Sequence, residues 1–234
     1  MSFGIVELAN AGNLNLAQLD AVSHNLANIG TPGFKAEYLY QRERIVEKPG
    51  PAGEKASLFV DHRQGVVQKT DNPLDVALHG EGFFVIETGT GTAYTRKGNF
   101  TLNKNNELVT EAGDRVLGEG GPLKINGRQV NIDSDGKIQV DGAEIGSLRI
   151  AGFEKRQNLV RRGDGLFTDP GDAGAQKIER PDIKSRSLES ANVNAIKEMV
   201  DMIGIQRSFE SYQKLIQVIS EMDKLSTSSL GKLA

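Results

Sequence analysis

The chain has 234 residues, enough for one large or two small domains with a core of their own. Its net charge of −3 argues against a nucleic-acid partner, whose recognition uses a basic face. With no cysteine it can form neither disulfides nor thiolate metal sites, and 27 glycines with only 38% hydrophobic residues make the core modest for the length.

No apolar run reaches the roughly 18 residues needed to cross a bilayer, so direct membrane insertion is not expected. The opening, Met1 to Asn10, has neither the basic region nor the continuous apolar region of a cleaved signal peptide. Taken alone, that reads as a cytosolic protein; the alternative is export by a route that needs no cleavable signal.

The first predicted element is a helix over residues 3–29. Ile5, Leu8, Gly12, Leu19, Val22, Leu26 and Ile29 recur at helical spacing, interrupted by the polar Asn15. Steps of three and four keep residues on one stripe, which is what a coiled-coil seam requires. Gly30-Thr31-Pro32-Gly33 ends the helix, because proline offers no N–H and disfavours helical geometry in the residue before it. Residues 31–57 read as an extended, partly mobile connection broken at Pro49-Gly50-Pro51-Ala52-Gly53.

From Leu58 to Thr168 the period becomes two. The clearest strands are Phe83–Glu87, Ala93–Arg96, Leu108–Thr110, Val130–Ile132, Lys137–Val140 and Leu148–Gly152. Between them fall Asn126-Gly127, Asp135-Gly136 and Asp141-Gly142, which supply the positive φ of tight hairpins. Residues 169–190 read as a second polar connection, with Pro170 and Pro181. A long helix is predicted from Val193 to Thr227, capped by Asn192 or Asn194, with a stripe at Met202, Ile205, Phe209, Tyr212, Ile216 and Ile219. At 1.5 Å per residue it is about 50 Å long. Burying its six large side chains yields roughly 10 kcal/mol gross, which the helix collects only by docking on the N-terminal helix and other subunits.

The expected fold is therefore α+β. Long N- and C-terminal helices form a coiled-coil-like pair around a central, mainly antiparallel β domain. The expected divisions are 1–30, 31–57, 58–168, 169–190 and 191–234.

Signals for chemistry are weak. His24, His62 and His79 have no second His at ligand spacing. Asn131 to Gly136 has the start of a calcium loop, but the twelfth position, where a bidentate Glu is required, is Gly142. The strand flanks favour a hairpin turn. Gly118 to Pro122 has glycines but no Lys-Ser/Thr and no following helix, so it is a turn rather than a phosphate cradle. Lys155, Arg156, Arg161 and Arg162 form a basic cluster that discourages edge pairing or serves for docking. No carboxylate pair is singled out. The expectation is no catalytic residue, no metal and no cofactor.

Four ordered segments also resemble a known family, the bacterial flagellar rod and hook axial proteins. Ser23-His24-Asn25-Leu26-Ala27-Asn28-Ile29-Gly30-Thr31-Pro32-Gly33-Phe34-Lys35 is similar to its N-terminal signature. Leu74 to Val85 is similar to its middle motif, followed in order by Tyr94-Thr95-Arg96-Lys97-Gly98-Asn99-Phe100. Ser190-Ala191-Asn192-Val193-Asn194 and Glu198 to Glu210 resemble its C-terminal signature. His24 and Gly30 depart from the residues more usual there. Within the family, Thr31-Pro32-Gly33 and Leu117 to Pro122 look most like the proximal-rod type, with the distal-rod type next.

The resemblance implies a non-enzymatic structural subunit of the flagellum basal body. Its terminal helices line an inner tube, its β domain faces outward, and it spans the periplasm as part of the rod. It implies passage through the flagellar type III export apparatus without a cleaved signal peptide. The implied partners are copies of itself and other rod proteins, assembled helically to transmit torque and extend the export channel. The expected assembly seam is Leu19, Val22, Leu26, Met202, Ile205, Phe209, Tyr212, Ile216 and Ile219. Asn25, Asn28 and Asn192 are expected to cap helices or bond across subunits, and Gly33 and Phe34 to set the turn leaving the tube. A peptidoglycan-acting enzyme of the basal body and a low-copy adaptor are the rivals from other classes.

Overall fold

A computed structural model describes residues 3–41 and 56–230. They form an α+β fold of N- and C-terminal helices with an antiparallel β-rich region between them. The chain divides into two compact units, one of residues 1–27, 37–59 and 194–234, the other of residues 28–36 and 60–193.

In the first unit, helix α1 is Phe3–Ala27, β1 is Glu37–Gln41, β2 is Ala56–Val60 and α2 is Ala195–Leu230. β1 pairs with β2. The Pro49 to Gly53 breaker lies outside the described residues. α1 lies along α2 and also meets β1. α2 begins where Asn194 accepts the Lys197 N–H on its side-chain Oδ1, at 3.1 Å, the geometry of an N-cap. Of the two expected caps Asn194 is therefore the one used. Its 36 residues give a rod of about 54 Å. No helix among the described residues is long and apolar enough to cross a membrane.

The second unit holds the β structure. β3 is Val67–Lys69, β4 Val76–His79, β5 Phe83–Thr88 and β6 Gly91–Thr95. A 10-stranded sheet centres on β5, which pairs antiparallel with β6 and with Arg115–Gly118, while Ile150–Phe153 pairs with its first residues. β5 alternates as expected, yet both of its faces are buried. Phe84 and Ile86 join a cluster with Leu78, Val116, Ile138 and Ile183. Phe83 and Val85 join another with Phe153, Leu159 and Phe167. The Phe83, Phe153 and Phe167 rings meet edge-on, with centroids 5.6 and 5.7 Å from Phe83.

The calcium-loop lookalike is a hairpin turn. Asp133 Oδ1 accepts the N–H groups of Asp135 and Lys137 at 3.0 and 2.8 Å, between strands Val130–Ile132 and Lys137–Val140.

The stretch 169–190, expected as a polar connection, instead carries three strands. Ala175–Lys177 pairs with Ile150–Phe153, Asp182–Ser185 with β4 and Ser187–Glu189 with β3. The inward positions of the last two strands are Ile183, Ser187 and Glu189. With one large apolar residue among them, they leave almost no hydrophobic alternation to read.

Candidate assembly surface

The chain-end signatures are built into hydrogen-bonded joints, one set in each unit. In the first unit Asn25 is fully buried on α1. Its Nδ2 donates to the Glu37 carbonyl at 2.8 Å and to Glu198 Oε2 at 3.2 Å, and its Oδ1 accepts the Glu37 N–H at 2.8 Å. One side chain thus ties α1, β1 and α2. Glu198 Oε1 also accepts from the Tyr38 hydroxyl at 3.4 Å.

In the second unit three motifs far apart in sequence meet at Glu189. Its Oε1 accepts from Lys35 Nζ at 2.5 Å and from the Gly65 N–H at 2.8 Å, and its Oε2 from Arg96 at 3.3 Å. The side chains of Lys35 and Glu189 are 0% exposed and that of Arg96 2%. Lys35 also donates to the Arg63 carbonyl, and Arg96 to that of Gly80. Burial pushes the Lys35 ammonium below the ordinary lysine range, and Glu189 opposes that shift. Burial likewise lowers Arg96 from its usual value, again against Glu189.

Gly33 donates its N–H to the Glu189 carbonyl at 2.6 Å. Its φ is +66°, and a Cβ there would overlap the Arg96 backbone, so only glycine fits. Phe34 is buried beneath the Arg161 guanidinium, 4.4 Å from its ring centre. Arg161 also donates to the Lys35 carbonyl. Asn192 accepts the Ala36 N–H and donates to the carbonyls of Asp61 and Arg63, so it is a brace between backbone segments rather than a helix cap. Asn28 accepts from Thr31 through its side chain and its carbonyl, forming the turn after α1.

Among the other basic residues, Arg156 pairs with Glu81 and Arg162 donates to Thr90, so the cluster divides among separate partners. His24 faces Glu37, His79 faces Asp182, and His62 packs between the Phe83 and Phe167 rings.

The helix surfaces separate into two kinds. The nine expected seam residues are buried or partly buried: Val22 is buried, and Leu19, Leu26, Met202, Ile205, Phe209, Tyr212, Ile216 and Ile219 are intermediate. Gly12 lies opposite Phe209, whose ring is 4.0 Å from where a Cβ would stand. With α1 alongside α2, this stripe is covered within one chain. Sequence reasoning missed what remains outside. Leu215, Val218, Met222 and Leu225 are exposed at steps of three and four, with Met222 63% and Leu225 68% accessible. Ile196, Met199, Val200 and Ile203 are exposed nearer the start of α2. The signal was present as a second apolar periodicity, masked by the more regular inner one. Apolar stripes left open along a helix mark a surface that binds another protein surface.

Residues 77–140 match the family model described as "Flagellar hook protein FlgE/F/G D1 domain". Residues 184–229 match "Flagellar basal body rod FlgEFG protein C-terminal". The flagellar basal-body rod protein FlgF of Caulobacter vibrioides is 32% identical, over 92% of this chain and 93% of its own length. The flagellar basal-body rod protein FlgG of Agrobacterium fabrum is 33% identical, over 91% and 93%. That of Bacillus subtilis, also FlgG, is 31% identical, over 88% and 90%. The two matched segments contain β5 and all but the last residue of α2, and the relatives align along nearly the whole sequence. This chain belongs to the flagellar basal-body rod protein family.

Proposed function

We propose that this chain is a structural axial subunit of the flagellar basal-body rod, acting by assembly and not by catalysis. The observation that carries the reading is the apolar surface still open on α2 once α1 has covered its inner stripe. Burying Leu215, Val218, Met222 and Leu225 against a neighbour yields roughly 6–12 kcal/mol gross, enough to offset much of the entropy of docking. Copies stack helically, α1 and α2 form a coiled-coil pair along Leu19, Val22, Leu26, Met202, Ile205, Phe209, Tyr212, Ile216 and Ile219, and the stack transmits torque. The subunit reaches the basal body through the flagellar type III apparatus and extends its channel beside other rod proteins.

Within the rod, the proximal position is our reading, on the motifs Thr31-Pro32-Gly33 and Leu117 to Pro122. The distal position is the alternative; relatives named FlgF and FlgG are similarly identical, at 32% and 33%. The test is a pair of variants. Phe209→Asp disrupts the α1–α2 stripe and Val218→Asp the open one. Each should stop rod assembly while the β unit stays folded by circular dichroism. Normal filaments in both would sink the reading.

A further inference from the structure

Of the Asn-Gly and Asp-Gly pairs expected as hairpin turns, Asn126-Gly127 is the one without a positive φ; Gly136, Asp141 and Gly142 all have it. Glycine stands at 127 for another reason: a Cβ there would overlap the Val140 side chain and the Asp141 carboxylate. The fold thus requires glycine at 127, and the sequence puts an asparagine before it, the only Asn-Gly pair in the chain. Both residues are exposed.

The amides that follow Asn126 are held unequally. The Arg128 and Gln129 N–H groups both bond the Asp141 carboxylate, at 3.2 and 2.9 Å to Oδ1. The Gly127 N–H bonds no group among the described residues. On the other side, Asn126 Oδ1 accepts from Asn106 Nδ2 at 3.0 Å, which draws electron density from the side-chain carbonyl carbon and stabilises negative charge developing on that oxygen. An untethered amide nitrogen, with no side chain to shield it, therefore stands next to an exposed and polarised carboxamide.

We propose that Asn126-Gly127 is a self-modification site at which the folded chain converts its own asparagine to aspartate and isoaspartate. The Gly127 nitrogen gives its proton to solvent and bonds to Asn126 Cγ. The Cγ–Nδ2 bond breaks and the nitrogen leaves as ammonia with a proton from solvent, which closes a succinimide ring. Water then opens the ring at either carbonyl. Opening at Cγ leaves aspartate; opening at the backbone carbonyl leaves isoaspartate, with the main chain rerouted through the side chain.

Either product puts a new carboxylate into the loop where Asp141 anchors Arg128 and Gln129. The Asp141 carboxylate abuts Gly127 itself, so the two negative charges share one small loop and repel. The same loop opens a strand pair: Asp141 donates its N–H to the Gln129 carbonyl at 2.9 Å, and Val130 pairs with Val140, a member of the core. The modification therefore loosens the start of the Val130–Ile132 strand.

The test incubates the purified full-length chain, folded, at mildly alkaline pH and follows Asn126 by peptide mapping, with electron-based fragmentation to tell isoaspartate from aspartate. Asn126 should convert several-fold faster than any other asparagine. The aged protein should exchange its Arg128 and Gln129 amide hydrogens several-fold faster than fresh protein. Asn126→Gln, whose longer side chain closes the ring far more slowly, should come through the incubation with its exchange unchanged. Conversion of Asn126 in urea but not in the folded protein would overturn the proposal, since the fold would then shield the pair. Faster conversion at another asparagine would overturn it too, as would exchange in aged N126Q rising as much as in the wild type. Unchanged exchange at Arg128 and Gln129 in fully converted protein would overturn the loosening of the strand.

Discussion

Replacing Glu189 by Gln removes one negative charge from a site that holds two buried cations. Lys35 and Arg96 then keep their charges with no carboxylate between them, and the amide that replaces one carboxylate oxygen directs its N–H groups at a donor. Breaking a buried pair by removing one partner costs about 3–5 kcal/mol, several times an exposed pair, because the remaining charge stays desolvated. For a chain of this length that corresponds to a fall in melting temperature of about 6–20 °C. The assay is thermal and denaturant unfolding followed by far-ultraviolet circular dichroism, since the chain has no tryptophan to report by fluorescence. Hydrogen exchange should show the Gly33 and Gly65 amides losing protection first, because one donates to the Glu189 carbonyl and the other to its carboxylate. The deficit should narrow as pH rises. Without Glu189 the Lys35 pKa, already lowered by burial, falls further, so the unfolded state binds the extra proton and stability increases with pH. A triple change of Lys35→Met, Arg96→Met and Glu189→Leu should recover most of the loss, as apolar replacements of buried ion clusters do. A loss below about 1 kcal/mol in E189Q, with Gly33 and Gly65 protection unchanged, would refute the view that this cluster anchors the motifs.

Two further outcomes are expected. His62 is held down to about 4, first by burial and then by the nearby Lys35 and Arg156 charges. Its ordinary value is about 6.5, so the unfolded state binds the proton first on acidification. Stability is full above about 6.5 and falls as pH drops towards 4, by about 1–3 kcal/mol after allowing for the residue's being only partly buried. Denaturation series at pH 7.5 and 4.5, compared with His62→Phe, test this; equal pH slopes in both proteins would exclude His62 as the source. Asn194→Ala removes the N-cap of α2 and should cost about 1 kcal/mol, with amide exchange accelerated in the first turn of that helix. Unchanged exchange at Lys197 would count against the cap.

The sequence by itself determined the elements whose cause is local. Three-four spacing and the Pro32 stop place α1 to within two residues of its end, and the α2 periodicity holds through Ile219. Asp135-Gly136 and Asp141-Gly142 form the expected hairpin turns, with positive φ at Gly136, Asp141 and Gly142, whereas Asn126-Gly127, also expected as one, takes no positive φ. The four ordered signatures identify the family. Their physical work was not legible, because it lies in partners distant along the chain. Glu189 looks like a solvated acid until the fold brings Lys35 to it from 154 positions away and Arg96 from 93.

The same limit explains residues 169–190. Strands Asp182–Ser185 and Ser187–Glu189 are held by ladders to β4 and β3, and their polar inward residues are tolerated because Glu189 accepts from Lys35, Arg96 and the Gly65 N–H and Ser187 donates to the Ser185 carbonyl. It explains the helices as well. Periodicity showed that α1 and α2 each have an apolar stripe, but only their pairing decided which stripe the chain covers itself. Leu215, Val218, Met222 and Leu225 were left outside because α1 covers one face of α2, and a helix with apolar residues on more than one face needs another neighbour to cover the rest.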